Sequence, residues 1–275
     1  MKSNISKQNK QAEAIPPSFL SPAGLLKAEH KKQRYRNIWM VPFGFLAILT
    51  LWISVLMRNL TPSDLTHGYQ WVFYQLSMMN AIFMPVMLAV IASRLCDMEI
   101  KGSTFKLLYT LEQPGHFYDF KFLAEVKYLL YFSFGQVISI LLIGKVFHFT
   151  EPVQILPFIE HFLAVSCIGA VLLSFQHLLS LMSENQIVPL CVGLAGSFLG
   201  LFSMFFPRAV NQLIIWGYFS IFSVSGIDWA SMEDGADYFS YLQYLNFPFL
   251  GFMLFLAVGI ILYLIEKEIF KRKEV

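Results

Sequence analysis

Six long apolar segments constrain this chain more than any other feature of its sequence. A helix that crosses about 30 Å of hydrocarbon needs about 20 consecutive, mostly apolar residues. Hydrophobic residues make up 56% of the 275 positions, so little of the chain is left for a second folded domain. The sequence therefore predicts an all-α polytopic membrane protein with a single membrane domain. The predicted spans are about 38–57, 71–93, 128–147, 155–182, 187–206 and 247–265.

Positive charge is distributed unevenly around these segments. Almost all of the 20 Lys and Arg residues fall in the N-terminal arm, in the loop 94–127 or in the C-terminal tail. Cytoplasmic loops of membrane proteins carry an excess of Lys and Arg, so both termini are expected in the cytosol. The chain between them would then cross the membrane six times. The basic residues left for the outer face are Arg58, Lys145 and Arg208.

The uncharged stretch 209–227 is long enough to be a seventh span. A seventh crossing would place the basic C-terminal tail outside, against the charge distribution. We therefore interpret 207–246 as a re-entrant or interfacial pair of short helices with an outer loop. Trp216 and Tyr218 suit a membrane interface, and irregular backbone at membrane depth is tolerated only where protein or water covers it. A seventh span is the alternative.

The chain begins with a polar, proline-containing arm, 1–24, that is predicted to be disordered. Residues 25–36 form a basic segment with a small apolar side, which predicts an interfacial helix along the inner leaflet. A solvated basic flank would have the same composition. The rest of the chain, 25–275, is predicted to be one transmembrane domain.

The sequence holds no motif for nucleotide binding or for common hydrolytic chemistry. The patterns GxxxxGK[ST], HExxH and GxSxG are all absent. The spacing of Cys96, Cys167 and Cys191 favours neither a disulfide framework nor a metal site. No catalytic residue, cofactor or metal is therefore predicted in this chain, and energy for transport would come from an ion gradient or from a partner ATPase.

Few ionisable residues lie inside the predicted spans. Glu160 and His161 sit near the outer end of the fourth span, and His177 lies deeper in it. The two histidines are sixteen residues apart, about 24 Å along a helix, so they cannot bind one metal ion. An intramembrane enzyme that uses these three side chains is one rival hypothesis. Alternatively, Glu160 is an interfacial carboxylate whose hydrogen bonds are satisfied.

The loop 94–127 is much longer than a connection between two spans requires. Ser103 or Thr104 can cap the N-terminus of a short helix, and Pro114 can end it. A helix with an aromatic face displayed in the cytosol suits the docking of a partner protein. Alternatively, it lies on the membrane or on its own bundle. The predicted apolar face consists of Phe105, Leu108 and Tyr109.

At these positions the chain resembles the first cytoplasmic loop of ABC-2 type permeases. The matching residues are Glu99, Gly102, Thr104, Leu107, Leu108, Pro114, Tyr118 and Lys121. His116 stands where the family usually has a basic residue. The resemblance implies the ABC-2 exporter fold, in which this loop carries the coupling helix that seats in a groove of the ATPase subunit. The implied coupling residues are Glu99, Gly102, Thr104, Phe105, Leu108, Tyr109 and Pro114.

Two further segments are similar to lantibiotic-immunity permeases, the E and G type subunits of nisin-like immunity exporters. They are 25–32, which is followed by Trp39, and the cluster Trp216-Gly217-Tyr218. The resemblance implies a multi-pass protein of a bacterial plasma membrane that is not itself an enzyme. It would pair with a second permease chain or with itself, and two copies of a separate ATPase would bind ATP and Mg²⁺.

An acidic outer loop bears on the substrate. Its carboxylates, with no basic residue among them, would attract a cationic antimicrobial peptide, although a solvated acidic loop is the alternative. Other possibilities are a permease for a small drug, an ion or a lipid, and a sensor or scaffold that transports nothing. The candidate peptide contacts are Asp228, Trp229, Glu233, Asp234 and Asp237.

Overall fold

Five helices of the computed structural model are long and apolar enough to cross a membrane. The structure describes residues 22–33, 36–102, 113–233 and 238–273. The helices in these ranges are α1 (Pro22–Gln33), α2 (Met40–Met57), α3 (Gly68–Lys101), α4 (Pro114–Val146), α5 (Ile155–Met182), α6 (Ile187–Ser203), α7 (Arg208–Asn211), α8 (Tyr218–Ile221) and α9 (Phe249–Lys271). Short 3₁₀ turns cover Asp64–His67, Ile215–Gly217 and Tyr238–Tyr241, and two strands, β1 (Ser225–Ile227) and β2 (Leu242–Tyr244), form a hairpin.

The spanning helices α2, α3, α4, α5 and α9 coincide with five of the predicted spans. The remaining predicted span corresponds to α6, which is apolar but only 17 residues long, or about 25 Å. The class of mostly helical, polytopic membrane protein is thus confirmed. Six crossings stay a prediction.

The stretch 209–227 does not form a spanning helix. It is divided between α7, a 3₁₀ turn, α8 and β1, and each of its helices has three or four residues. Four residues of α-helix extend about 6 Å, far less than the hydrocarbon thickness. The segment folds back on the bundle, since Trp216 packs against Gly196 and Gly200 of α6. A seventh span is therefore wrong, while the re-entrant placement stays a prediction.

Helix α3 lies at the centre of the bundle, with α5 and α6 packed along it. Pro85 lies inside α3 and lacks an N–H, so the carbonyl of Ala81 loses its helical partner. Close packing of α6 covers this point: Ser197 donates a hydrogen bond to the carbonyl of Ile82 at 2.5 Å. A Cβ at Gly200 would lie 2.9 Å from the Ala81 oxygen. Small residues of α6 thus allow the close approach to α3 that such residues favour between membrane helices.

The bundle has two ends that differ in character. At the end that we call the loop end, α3 stops at Lys101, α4 begins at Pro114, and α1 and the C-terminal turns of α9 lie alongside. The helices run well into the predicted loop 94–127 and leave only 102–113 between them. The opposite end, the distal end, carries the β1–β2 hairpin, in which Ser225 pairs with Tyr244.

Candidate functional site

A cluster of four charges, three of them buried, holds the loop end together. Lys121 of α4 is fully buried, and its ammonium group lies 3.0 Å from a carboxylate oxygen of Glu99 in α3. The same ammonium lies 3.7 Å from Glu29 of α1. Lys32, also in α1, approaches Glu29 at 2.7 Å and Glu99 at 2.9 Å. Two carboxylates and two ammonium groups thus balance each other and join three helices.

The electrostatics of this cluster make it sensitive to the loss of any member. Burial of Lys32 lowers its pKa, but the carboxylates of Glu29 and Glu99 raise it more, so the net pKa is raised. The corresponding stability is present at neutral pH and is lost only as pH rises through that raised value. Removing one partner of a buried ion pair leaves an uncompensated charge and typically costs about 3–5 kcal/mol.

Further polar contacts attach α9 and α1 to the N-terminal part of α4. Asp119 accepts hydrogen bonds from Lys267 at 2.6 Å and from Tyr263 at 2.7 Å, both in α9. The amide oxygen of Gln33, the last residue of α1, accepts bonds from Lys127 and Tyr128, each at 3.0 Å. The loop end is therefore braced on both sides of α4.

The predicted coupling residues divide into two groups. Three lie at the ends of the braced helices: Glu99 is buried in the ion cluster, Gly102 ends α3, and Pro114 begins α4. Gly102 donates its N–H to the carbonyl of Met98 at 3.2 Å. Proline suits the first helical position because it has no N–H to satisfy. The others lie outside the described residues: Thr104, Phe105, Leu108 and Tyr109.

A second polar network lies in the middle of the bundle. Asn80 and Gln136 exchange amide hydrogen bonds of 2.6 and 3.1 Å, and His161 lies 3.0 Å from the Gln136 amide oxygen. All three side chains are buried. His177 instead contacts Glu125, at 2.9 Å. The structure therefore separates His161 from His177, as the sequence predicts, and does not bring them together as a common site.

The distal end is organised by Glu151, which lies in the connection between α4 and α5. Its buried carboxylate accepts the backbone N–H of Tyr69 at 2.7 Å, in the first turn of α3. It also accepts the hydroxyl of Tyr244 in β2 at 2.6 Å. Burial and the neighbouring carboxylate raise the pKa of Tyr244. Glu151 thus caps α3 with a negative charge at the positive end of the helix dipole and attaches the hairpin to it.

The predicted acidic loop projects from this hairpin. Asp228 accepts backbone N–H bonds from Ala230 and Ser231 at 3.2 and 3.3 Å. Hydrogen bonds from Ser231 and Ala230 lower the pKa of Asp228, so it carries its charge at neutral pH. The side chain of Trp229 is 63% exposed, and Glu233 is exposed as well. Asp234 and Asp237 lie outside the described residues.

Two groups of residues in this structure carry no signal in the sequence. One is the pairing of Lys121 with Glu29, which are separated by 92 positions in the chain. The other is the convergence of Cys96, Glu125 and His177, each from a different helix. Neither group has a characteristic spacing, because tertiary packing of separate helices creates both.

The fold and this arrangement define a polytopic helical membrane protein. Ion pairs join α1 to the ends of α3 and α4 that flank the connection 102–113, and we call these joined helix ends the braced base. A model of the family described as ABC-2 family transporter protein matches residues 25–200, well over half of the chain, and the chain belongs to this family. The family comprises membrane subunits of transporters, typically not catalytic themselves, which generally work with an ABC ATPase. The match begins within α1, ends within α6 and leaves out the distal hairpin and α9. No curated protein matches the chain.

Replacing Lys121 by Met tests the ion cluster. The variant keeps the volume of the side chain but leaves Glu29 and Glu99 buried without their central cation, so we expect a loss of about 3–5 kcal/mol in the free energy of unfolding. The measurement is denaturant unfolding of the purified protein in one detergent, followed by tryptophan fluorescence.

Lys101→Met is the matched control. Its side chain is 75% exposed and pairs with Asp97 at 2.8 Å within one helix, so its loss should cost no more than about 0.5 kcal/mol. Adding Glu99→Gln to Lys121→Met should restore part of the stability. Equal stability of the Lys121 and Lys101 variants would contradict the role assigned to the cluster.

Proposed function

We propose that this chain is the permease subunit of an ABC exporter, driven by a separate ATPase that binds at the loop end, and that it expels a cationic antimicrobial peptide. Two permease chains, identical or related, would assemble with two copies of the ATPase. ATP and Mg²⁺ would bind to that partner. The loop end would face the cytosol, because basic residues concentrate there, and transport would be outward from a bacterial plasma membrane.

The observation that carries this proposal is the braced base beneath the connection 102–113. Helix α3 has 34 residues and α4 has 33, so each is about 50 Å long against a hydrocarbon core of about 30 Å. Both can therefore extend out of the membrane. A partner that pushes on the connection would move α1, α3 and α4 together, because the ion cluster of Lys121 joins them. That is the mechanical requirement for coupling to an ATPase.

The apolar face predicted around Phe105 and Leu108 gives the first test. A tagged chain purified in mild detergent should retain an ATPase subunit, and changing both residues to Asp should abolish that retention because a buried charge would oppose docking. Mass spectrometry of the purified complex makes the measurement, and it also reports whether a second permease chain is present.

The matched control places Asp at Ser103 and Thr110, which the helical pattern puts away from the predicted face. This control should keep the ATPase. An ATPase absent from the wild-type complex in several detergents would contradict the coupling proposal, and so would its equal retention by both double variants.

Charge and aromatic exposure at the distal end support the peptide substrate. The partly exposed carboxylate of Asp228 stays ionised at neutral pH, and the exposed indole of Trp229 is adjacent to it in the chain. A cluster of like charges at an outer surface raises the local concentration of oppositely charged ligands. This substrate agrees with the resemblance to lantibiotic-immunity permeases.

A second candidate substrate is a lipid or an amphipathic drug. A groove of about 430 Å³ opens between α5, α9 and the short helices at the distal end. Its wall is mostly apolar, and Arg208 and Gln212 are among the residues that line it. Such a groove suits an acyl chain attached to an anionic head group. Lining residues include Val171, Phe222, Leu254 and Phe255.

Neutralising the acidic loop separates the two substrates. Changing Asp228, Glu233, Asp234 and Asp237 to their amides should reduce resistance to a cationic peptide several-fold at low ionic strength and less at high ionic strength, because salt screens exposed charges. Resistance of cells expressing the transporter makes the measurement. The matched control is Glu160→Gln, which changes a partly exposed carboxylate elsewhere at the distal end. Unchanged peptide resistance, together with export of a labelled lipid that depends on Arg208, would favour the second candidate.

A further inference from the structure

Three helices bring a thiol, a carboxylate and an imidazole together near the loop end. Cys96 lies in α3, Glu125 in α4 and His177 in α5, and all three are fully buried. One carboxylate oxygen of Glu125 lies 2.9 Å from His177 Nδ1 and 3.6 Å from Cys96 Sγ. The sulfur lies 3.9 Å from the same ring nitrogen. These three atoms form a compact triangle.

The size of this triangle matches that of a metal-binding site. A point equidistant from the three atoms lies about 2.0 Å from each, close to the length of Zn–N and Zn–O bonds and slightly below that of a Zn–S bond. A small displacement of the ion out of the plane lengthens all three distances and leaves a fourth tetrahedral position. The ligands would therefore move by only a few tenths of an ångström from their present positions.

The chemistry of the donors selects among metals. A thiolate and an imidazole favour zinc over magnesium or calcium, which prefer oxygen ligands. A thiolate, a carboxylate and a neutral imidazole supply two negative charges, which balance one Zn²⁺ in a site that excludes water. Binding would release the thiol proton.

Two polar atoms of the cluster are also left without partners. The second carboxylate oxygen of Glu125 and the Nε2 atom of His177 are buried and accept or donate no hydrogen bond within the described residues. The ring of Tyr118 packs 4.5 Å from the imidazole, between ring centres, and its buried hydroxyl is unpartnered in the same part of the chain. Unsatisfied buried polar groups are rare in folded proteins, and an ion held by both oxygens of Glu125 would satisfy the second of them.

We propose that Cys96, Glu125 and His177 form a binding site for one zinc ion. The ion would join α3, α4 and α5 directly, one helix turn from the ion cluster, since Lys121 and Glu125 are four residues apart on α4. It would stiffen the base that carries the connection 102–113. The site needs neither the ATPase nor the peptide substrate, so it stands independently of the proposed function.

Cobalt titration of the full-length protein tests the site. After chelation in detergent, the wild type should bind one equivalent of Co²⁺ with a thiolate-to-metal charge-transfer band, and Zn²⁺ should displace it and bleach the band. Zinc should also raise the thermal midpoint of the wild type. Absence of the band and of any zinc stabilisation would overturn the proposal.

Variants assign the ligands. Cys96→Ser should remove the charge-transfer band, and His177→Gln should weaken zinc binding about 100-fold or more, since even the loss of an outer-shell partner costs 10–100-fold. Cys167→Ser, in α5 but outside the cluster, should bind like the wild type. If Cys96→Ser does not fold, weakened zinc binding by Glu125→Gln and His177→Gln tests the site in its place. Wild-type affinity in the ligand variants, or loss of the band in Cys167→Ser, would overturn the assignment.

Discussion

The structure of the loop end depends on the ion pairs of the buried Lys121 ammonium group. A lysine with no exposed surface is tolerated only where carboxylates replace its water, and Glu29 and Glu99 do so from two other helices. This requirement fixes α1 against the ends of α3 and α4. Helix α1, which the sequence predicts to lie along the inner leaflet, is thereby joined to the bundle at the loop end.

Carboxylates make different kinds of contact at the two ends of the bundle. At the loop end, Glu99 and Asp119 accept bonds from lysines of other elements, so charge pairing joins helices that hydrophobic packing alone would leave free to slide. At the distal end, Glu151 caps α3 and holds the hairpin, while Asp228 is partly exposed. In the proposed function, the first arrangement transmits force and the second recognises a ligand. Central α3, which contacts both, connects them.

The spans could be predicted from the sequence, because the hydrophobicity and the length of a segment do not depend on its partners in the fold. The close packing of α6 was predictable for the same reason, from the spacing of its small residues. The ends of α3 and α4 were not predictable in this way, because Glu99 and Lys121 look like residues of a soluble loop in the sequence. They pair across 22 positions only in the folded protein. The Cys96, Glu125 and His177 cluster was missed because three helices contribute one ligand each, so no spacing rule applies. Hydropathy alone would make the stretch 209–227 a seventh span, but its apolar residues form short turns that cover the bundle.

Site-specific photo-crosslinking tests most directly the claim that an ATPase acts at the loop end. A photoreactive residue at Gln113, which is exposed beside the start of α4, is compared with the same residue at Trp229, exposed at the distal end. We expect an ATPase subunit to be captured in intact cells from position 113 and not from position 229. Capture from position 229, or no capture of an ATPase from position 113 when the transporter is active, would contradict it.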